Sequence, residues 1–177
     1  LNFWRTFFGV WREEQGLGVV AAHSHMSEIP RIFLLWLASF VFPVSYLRYL
    51  YFFITLIIGP LGVYFFLTYV LKKHGFWTHL ASFLGGSYYL LNLGTLQHYY
   101  VPFEMFATQF AALPWLFLFA LKFLNQGRRK YLLLFSMISL LATPTAYAAT
   151  LFYAFILTLS LFLLVRSLLE KNKKLNI

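Results

Sequence analysis

The residues best suited to chemistry are two adjacent carboxylates near the start of the chain, Glu13 and Glu14. Such a pair can bind a divalent cation or accept a proton from a hydroxyl as a general base. Gly16 and Gly18 follow and let the backbone fold tightly against a ligand. A solvated loop explains the same residues, so both interpretations stay open. A divalent cation is the one cofactor that the sequence suggests.

Two histidines, His23 and His25, are able to place two imidazoles on a metal ion. No third ligand is fixed by spacing, which favours a polar loop with ordinary histidines. The chain has no cysteine, which excludes disulfides and cysteine-ligated zinc. Phosphate-binding P-loops, dinucleotide fingerprints and nucleophile elbows are absent as well.

Arg31 and Arg48 stand at the ends of apolar segments, at the depth where a lipid phosphate would lie. Arginine can hold a phosphate with two parallel hydrogen bonds. Alternatively, the two side chains extend towards lipid headgroups without binding a particular ligand. The sequence supports both interpretations of this pair.

A further cluster is formed by the segment Gln97, His98, Tyr99 and Tyr100 together with Glu104. An aromatic-rich segment that contains glutamine and histidine suits sugar binding. Glu104 also fits a simpler role, because the first turn of a helix favours a negative charge. Arg31, Arg48, Gln97, His98 and Glu104 are the candidate substrate-binding residues.

The composition shows what surrounds these residues. Apolar residues make up 61% of the 177 residues and charged residues 11%, whereas soluble domains have about 25% charged residues. The formal net charge of +9 would suggest nucleic acid in a soluble chain. In so apolar a chain it indicates a charge asymmetry across a bilayer instead, so the expected partner is membrane lipid and not nucleic acid.

Prolines, glycines and basic clusters divide the chain into segments. Residues 1–30 predict an outer loop, and residues 31–43 predict a short interfacial or re-entrant helix. A helix over residues 32–42 would extend about 16 Å, and the hydrocarbon core is about 30 Å thick. The remaining residues, 44–177, predict a transmembrane bundle.

The apolar runs of the bundle predict helices, with kinks at Pro60 and Pro114 and a loop at residues 92–102. The runs cover residues 44–70, 75–91, 103–124, 131–142 and 145–169. The fold class is therefore an all-α polytopic transmembrane helical bundle with four or five spanning helices.

The basic residues fall mostly on one predicted side of the membrane. Ten of the 14 Lys and Arg residues share that side, and it is expected to be cytoplasmic. The outer side is expected to hold the remaining arginines and most carboxylates. These are Arg5, Arg12, Arg31, Arg48, Glu13, Glu14, Glu28 and Glu104.

Several short motifs follow one another in a characteristic order over most of residues 3–125. They are WREEQGLG at 11–18, Pro30, GPLGVY at 59–64, SYYLLNLGTLQ at 87–97 and AALPW at 111–115. This order resembles the membrane part of GT-C superfamily glycosyltransferases, in particular the arabinofuranosyltransferase type and the related YfhO-like membrane proteins.

The resemblance implies a multi-pass protein of a prokaryotic plasma membrane that transfers a sugar from a polyprenyl-phosphate donor on the outer face. The donor phosphate would lie near Arg31 or Arg48. The family's catalytic carboxylate, usually Asp, lies in the first outer loop, soon after the first membrane helix. The chain has no Asp, so Glu13 and Glu14 are the nearest candidates.

The chain begins with Leu1, and a polar segment precedes its first long apolar run. We therefore expect it to be part of a longer protein whose first helix lies upstream, and to be inactive alone. Two other functions stay open: a lipid or solute transporter or flippase, and a non-catalytic membrane scaffold. The near absence of charge within the apolar segments argues against a transporter.

Overall fold

The computed structural model describes residues 11–12, 19–20, 27–72, 75–101 and 103–175. Within these ranges the chain is helical apart from turns and one antiparallel pair of two-residue strands, β1 (Trp11–Arg12) and β2 (Val19–Val20). The all-α prediction is confirmed. The helices are α1 (Ile29–Ala38), α2 (Val44–Leu71), α3 (Phe76–Leu91), α4 (Leu93–Tyr100), α5 (Glu104–Gln126), α6 (Arg129–Leu141), a 3₁₀ helix (Thr143–Tyr147) and α7 (Ala149–Leu175).

Among the described helices, three are long and apolar enough to cross a membrane. They are α2, α5 and residues Ala149–Leu168 of α7. Their lengths of 28, 23 and 20 residues meet the roughly 20 residues that a spanning helix needs. The shorter apolar helix α1, with 10 residues, does not.

The helices α2 and α5 run in the same direction. Near their first residues, Arg48 Nε lies 3.1 Å from Glu104 Oε1, and at their last turns Asn125 Nδ2 donates to the Tyr69 hydroxyl at 3.0 Å. We call the first the glutamate end and the second the lysine end. The glutamate end holds Glu28, Arg31, Arg48 and Glu104, and the lysine end holds Lys72, Lys122 and residues 128–130.

The shorter helices return the chain from the lysine end. α3 is antiparallel to α2, with His79 Nδ1 of its first turn 2.8 Å from the Tyr64 hydroxyl. α6 begins beside the last turns of α5, and its far end leads to Thr143, whose hydroxyl donates to the Ser27 carbonyl at 3.0 Å. α7 then repeats the direction of α5, because Arg166 Nη2 donates to Asn125 Oδ1 at 2.5 Å.

Glycines bring α2, α3 and α5 into close contact. A Cβ at Gly86 would lie 2.9 Å from the Pro60 carbonyl oxygen, and one at Gly62 would lie 2.7 Å from Trp115 Nε1. Side chains there would push the helices apart. Small residues are typical of such contacts between membrane helices.

Pro114 lies inside α5 and deprives the Phe110 carbonyl of its usual helical donor four residues on. The hydroxyl of Tyr89 on α3 donates to that carbonyl at 3.0 Å. Its ring also stacks on Phe110 with 4.4 Å between centroids. A neighbouring helix thus supplies the hydrogen bond that the proline removes.

The predicted loop at residues 92–102 is wrong for most of its length, because α4 occupies Leu93–Tyr100. Asn92 caps this helix, with its Oδ1 accepting from the Thr95 amide at 3.0 Å. The cap satisfies a free amide of the first turn. The run predicted from residue 145 also differs, because residues Thr143–Tyr147 form a 3₁₀ helix and α7 begins at Ala149.

Candidate functional site

Three helices bring four charged side chains together at the glutamate end. Arg31 forms an ion pair with Glu28, and its Nη1 lies 3.9 Å from Glu104 Oε1. The same oxygen lies 3.1 Å from Arg48 Nε in a second ion pair. Arg31 and Arg48, which the sequence could only place near the ends of separate segments, thus share one carboxylate.

Local structure explains how each of these side chains is presented. Glu28 and Arg31 are three residues apart at the start of α1, a spacing that lets their side chains meet. Glu104 lies in the first turn of α5, where the helix dipole favours its charge. Arg48 lies in the second turn of α2 and is the most exposed of the four, at 58%.

A hydrogen-bonded pair lies directly beneath the charges. The Thr108 hydroxyl donates to the Glu104 carbonyl at 2.6 Å, so it accepts from the hydroxyl of Tyr51. The Arg31 guanidinium carbon lies 5.8 Å from the centroid of the Tyr51 ring, within cation–π range. α1, α2 and α5 are therefore connected through one cluster.

An apolar groove of about 280 Å³ opens beside Arg48. Tyr99 of α4 closes one side, with its ring edge-on to Phe52 at 6.0 Å. Its hydroxyl lies 3.4 Å from Thr55 Oγ1. Burial raises the pKa of Tyr99 above its usual value. The groove is lined by Arg48, Tyr49, Phe52, Phe53, Leu56 and Tyr99.

Several candidates from the sequence lie elsewhere or outside the described residues. Gln97 is exposed on α4, and Tyr99, two residues later, is the residue of that helix that lines the groove. The backbone at His98 is part of α4, but its side chain is outside the described part, as are Glu13 and Glu14. No three described His or Glu side chains are grouped to hold a metal ion.

The sequence interpretation missed Glu28, Tyr51 and Thr108 as members of this region. Tyr51 lies three residues after Arg48, and Thr108 lies four after Glu104. These spacings place each residue on the same helix face as its charged neighbour. That periodic signal was available in the sequence, but it does not say which faces meet.

The cluster is chemically able to receive an anion beside an apolar chain. Arg48 is exposed at one end of a groove whose other lining residues are aromatic or aliphatic. An arriving phosphate would compete with Glu104 for the arginine, since both are oxygen anions.

No family model, curated protein or solved structure matches this chain.

Proposed function

We propose that this chain is part of a membrane glycosyltransferase that moves a sugar from a polyprenyl-phosphate donor to an envelope glycan or glycolipid. The observation that carries the proposal is the position of Arg48, half-exposed at one end of the apolar groove. A polyprenyl phosphate combines an anionic head with a long apolar chain. The guanidinium suits the first part and the groove suits the second.

The proposed orientation places the glutamate end at the outer face of a prokaryotic plasma membrane. The basic lysine end then faces the cytoplasm, in keeping with the positive-inside rule. Five crossings follow, by α2, α3, α5, α6 and α7, because three long helices running in one direction need two returns between them. α1, with 10 residues, lies at the outer boundary and does not cross.

In the proposed reaction, the acceptor hydroxyl attacks the anomeric carbon of the donor sugar. The bond from that carbon to the phosphate oxygen breaks, and the polyprenyl phosphate leaves. A carboxylate takes the hydroxyl proton, and Glu13 and Glu14 are the candidates for this general base. Arg48 and Arg31 offset the negative charge of the departing phosphate, as preorganised cations do in other transferases.

The test uses a polyprenyl phosphate that carries a photoreactive diazirine in its chain, bound to the intact protein in nanodiscs. Crosslinks are expected on the groove residues Phe53 and Leu56. Arg48→Ala should reduce them by about tenfold, in keeping with the energy of a charged hydrogen bond. Arg48→Lys should reduce them less, since the charge is kept. Arg128→Ala is the matched control at the lysine end and should leave them unchanged.

Transfer is measured on the same variants with lipid-linked sugars and a mixture of glycan acceptors. Loss of sugar transfer in Arg48→Ala, with transfer retained in Arg128→Ala, supports the proposal. Crosslinks that are unchanged in Arg48→Ala would contradict the proposed binding site. Normal crosslinking without transfer by the intact protein would assign the groove to a lipid-binding scaffold or a transporter.

A further inference from the structure

The lysine end of the bundle holds one cation among aromatic rings. Lys122 Nζ lies 5.3 Å from the ring centroid of Tyr69, 5.7 Å from that of Tyr131 and 5.9 Å from that of Phe119. All three distances are within cation–π range. Lys122 is therefore engaged inside the bundle and joins α2, α5 and α6.

Four further basic residues at this end point to a different role. Residues Lys72, Arg128, Arg129 and Lys130 are all exposed, and we call them the basic rim. The two described carboxylate side chains, Glu28 and Glu104, both lie at the glutamate end. Within the described part of the chain, the basic rim therefore has no acidic counterpart.

The basic rim adjoins surface that suits lipid chains. Two and three residues after Lys130, Leu132 and Leu133 are 45% and 65% exposed. Trp77, near the start of α3, is 78% exposed at the same end, and Trp favours the lipid–water boundary. A phospholipid whose headgroup binds the rim would therefore place its acyl chains along the exposed leucines. A free phosphate ion would make no contact with those leucines.

We propose that the basic rim is a binding site for the headgroups of anionic phospholipids. The charges attract the phosphate, and the adjoining apolar helix surface receives the chains. This site lies at the opposite end of the bundle from the groove beside Arg48, so it does not depend on the proposed transferase function. The expected ligand is a lipid such as phosphatidylglycerol, which has net negative charge, and not zwitterionic phosphatidylcholine.

The experiment measures lipids retained by the protein in native mass spectrometry, after reconstitution in mixed phosphatidylglycerol and phosphatidylcholine. The unmodified protein should retain phosphatidylglycerol preferentially. A basic residue near an anionic surface changes binding by about fivefold, so the triple variant Arg128→Gln/Arg129→Gln/Lys130→Gln should lower the preference by roughly 10²-fold. The matched control, Arg128→Lys/Arg129→Lys, keeps the charge and should keep the preference.

Removing basic residues can also alter the orientation of a membrane protein during insertion, so the unmodified protein supplies a second readout. Raising the salt concentration should weaken its phosphatidylglycerol preference, because exposed charges are screened. A preference that survives both the triple substitution and high salt would overturn the proposal. So would displacement of the lipid by inorganic phosphate alone, which would show that the rim binds phosphate without using lipid chains.

Discussion

The two ends of the bundle use positive charge in opposite ways. At the glutamate end, Arg31 and Arg48 share the Glu104 carboxylate across three helices. At the lysine end, Lys122 is surrounded by aromatic rings, and Arg166 donates to the Asn125 amide. Opposite charges thus fix one end, whereas rings and amides fix the other. A carboxylate partner neutralises the charge of a cation, whereas aromatic rings and amides leave that charge in place.

The largest expected effect is an all-or-none difference in labelling between the two ends. The chain has no native cysteine, so Tyr100→Cys and Gln126→Cys each introduce a single thiol. A membrane-impermeant maleimide should label Tyr100→Cys in intact cells, because the residue is 87% exposed. It should label Gln126→Cys only after permeabilisation. Labelling of both variants from outside would remove the proposed separation of the two ends.

The next effect concerns which carboxylates take part in the proposed sugar transfer. Glu13→Gln/Glu14→Gln should lower sugar transfer by the intact protein by at least about 10²-fold, the usual loss for an essential acid or base. Glu104→Gln is the matched substitution and should lower transfer less, because Glu104 holds the arginines. Transfer rates under saturating donor measure both. Full activity in the double variant would exclude that pair from the reaction.

Glu104→Gln should instead reduce stability. The substitution removes the charge shared by two arginines, which are 16% and 58% exposed. We expect the free energy of unfolding in mixed detergent to fall by about 1–2 kcal/mol, less than for a fully buried pair. The loss should shrink at high salt. An unchanged stability would mean that the ion pairs contribute nothing at this end.

Lys122→Met tests the other end, because it keeps the apolar stem and removes the ammonium group. The cation–π contacts to three rings should make the unfolding free energy fall by about 1 kcal/mol. Lys130→Met is the control. Lys130 is exposed and its Nζ lies near one ring only, 5.0 Å from the Tyr131 centroid, so the effect should be smaller. Equal losses in the two variants would contradict a special role for the aromatic surroundings of Lys122.

Between the two ends, uncharged groups hold the helices together. Tyr89→Phe removes the hydrogen bond to the Phe110 carbonyl and should cost about 0.6 kcal/mol, an average value for such bonds between membrane helices. Tyr88→Phe, at a residue that is 76% exposed, should have no measurable effect. The loss of stability in Glu104→Gln should depend on the salt concentration, but the loss in Tyr89→Phe should not. A salt-dependent loss in Tyr89→Phe would mean that Tyr89 belongs to the charged network.

The sequence predicted the long helices well because prolines and charged residues mark where they begin and end. α2 was predicted at residues 44–70 and occupies Val44–Leu71, since Pro43 and a basic pair bound a mostly apolar run. α4 was missed because Gly94 and Pro102 suggested a loop. The capping residue Asn92 and the apolar spacing after it carried the opposite signal.

The candidate site could be predicted only in part. Arg31, Arg48 and Glu104 were each singled out from their positions at the ends of apolar runs, but their contact was not foreseen. It depends on α2 and α5 lying side by side in the same direction. That arrangement comes from close contacts such as Gly62 with Trp115, which no local pattern specifies. The groove, built from α2 and α4, was hidden for the same reason.

The hydrogen bond from Tyr89 to Phe110 has a consequence for biosynthesis. Pro114 leaves the Phe110 carbonyl without its helical donor, and such a group costs several kcal/mol when it meets lipid alone. In the proposed orientation α3 crosses the membrane, and it precedes α5 in the chain, so the Tyr89 hydroxyl would reach the bilayer before α5 leaves the ribosome. The donor for the Phe110 carbonyl would then be in place before the kinked helix enters the membrane, so the order of synthesis would spare α5 a stage with that carbonyl unpaired in lipid.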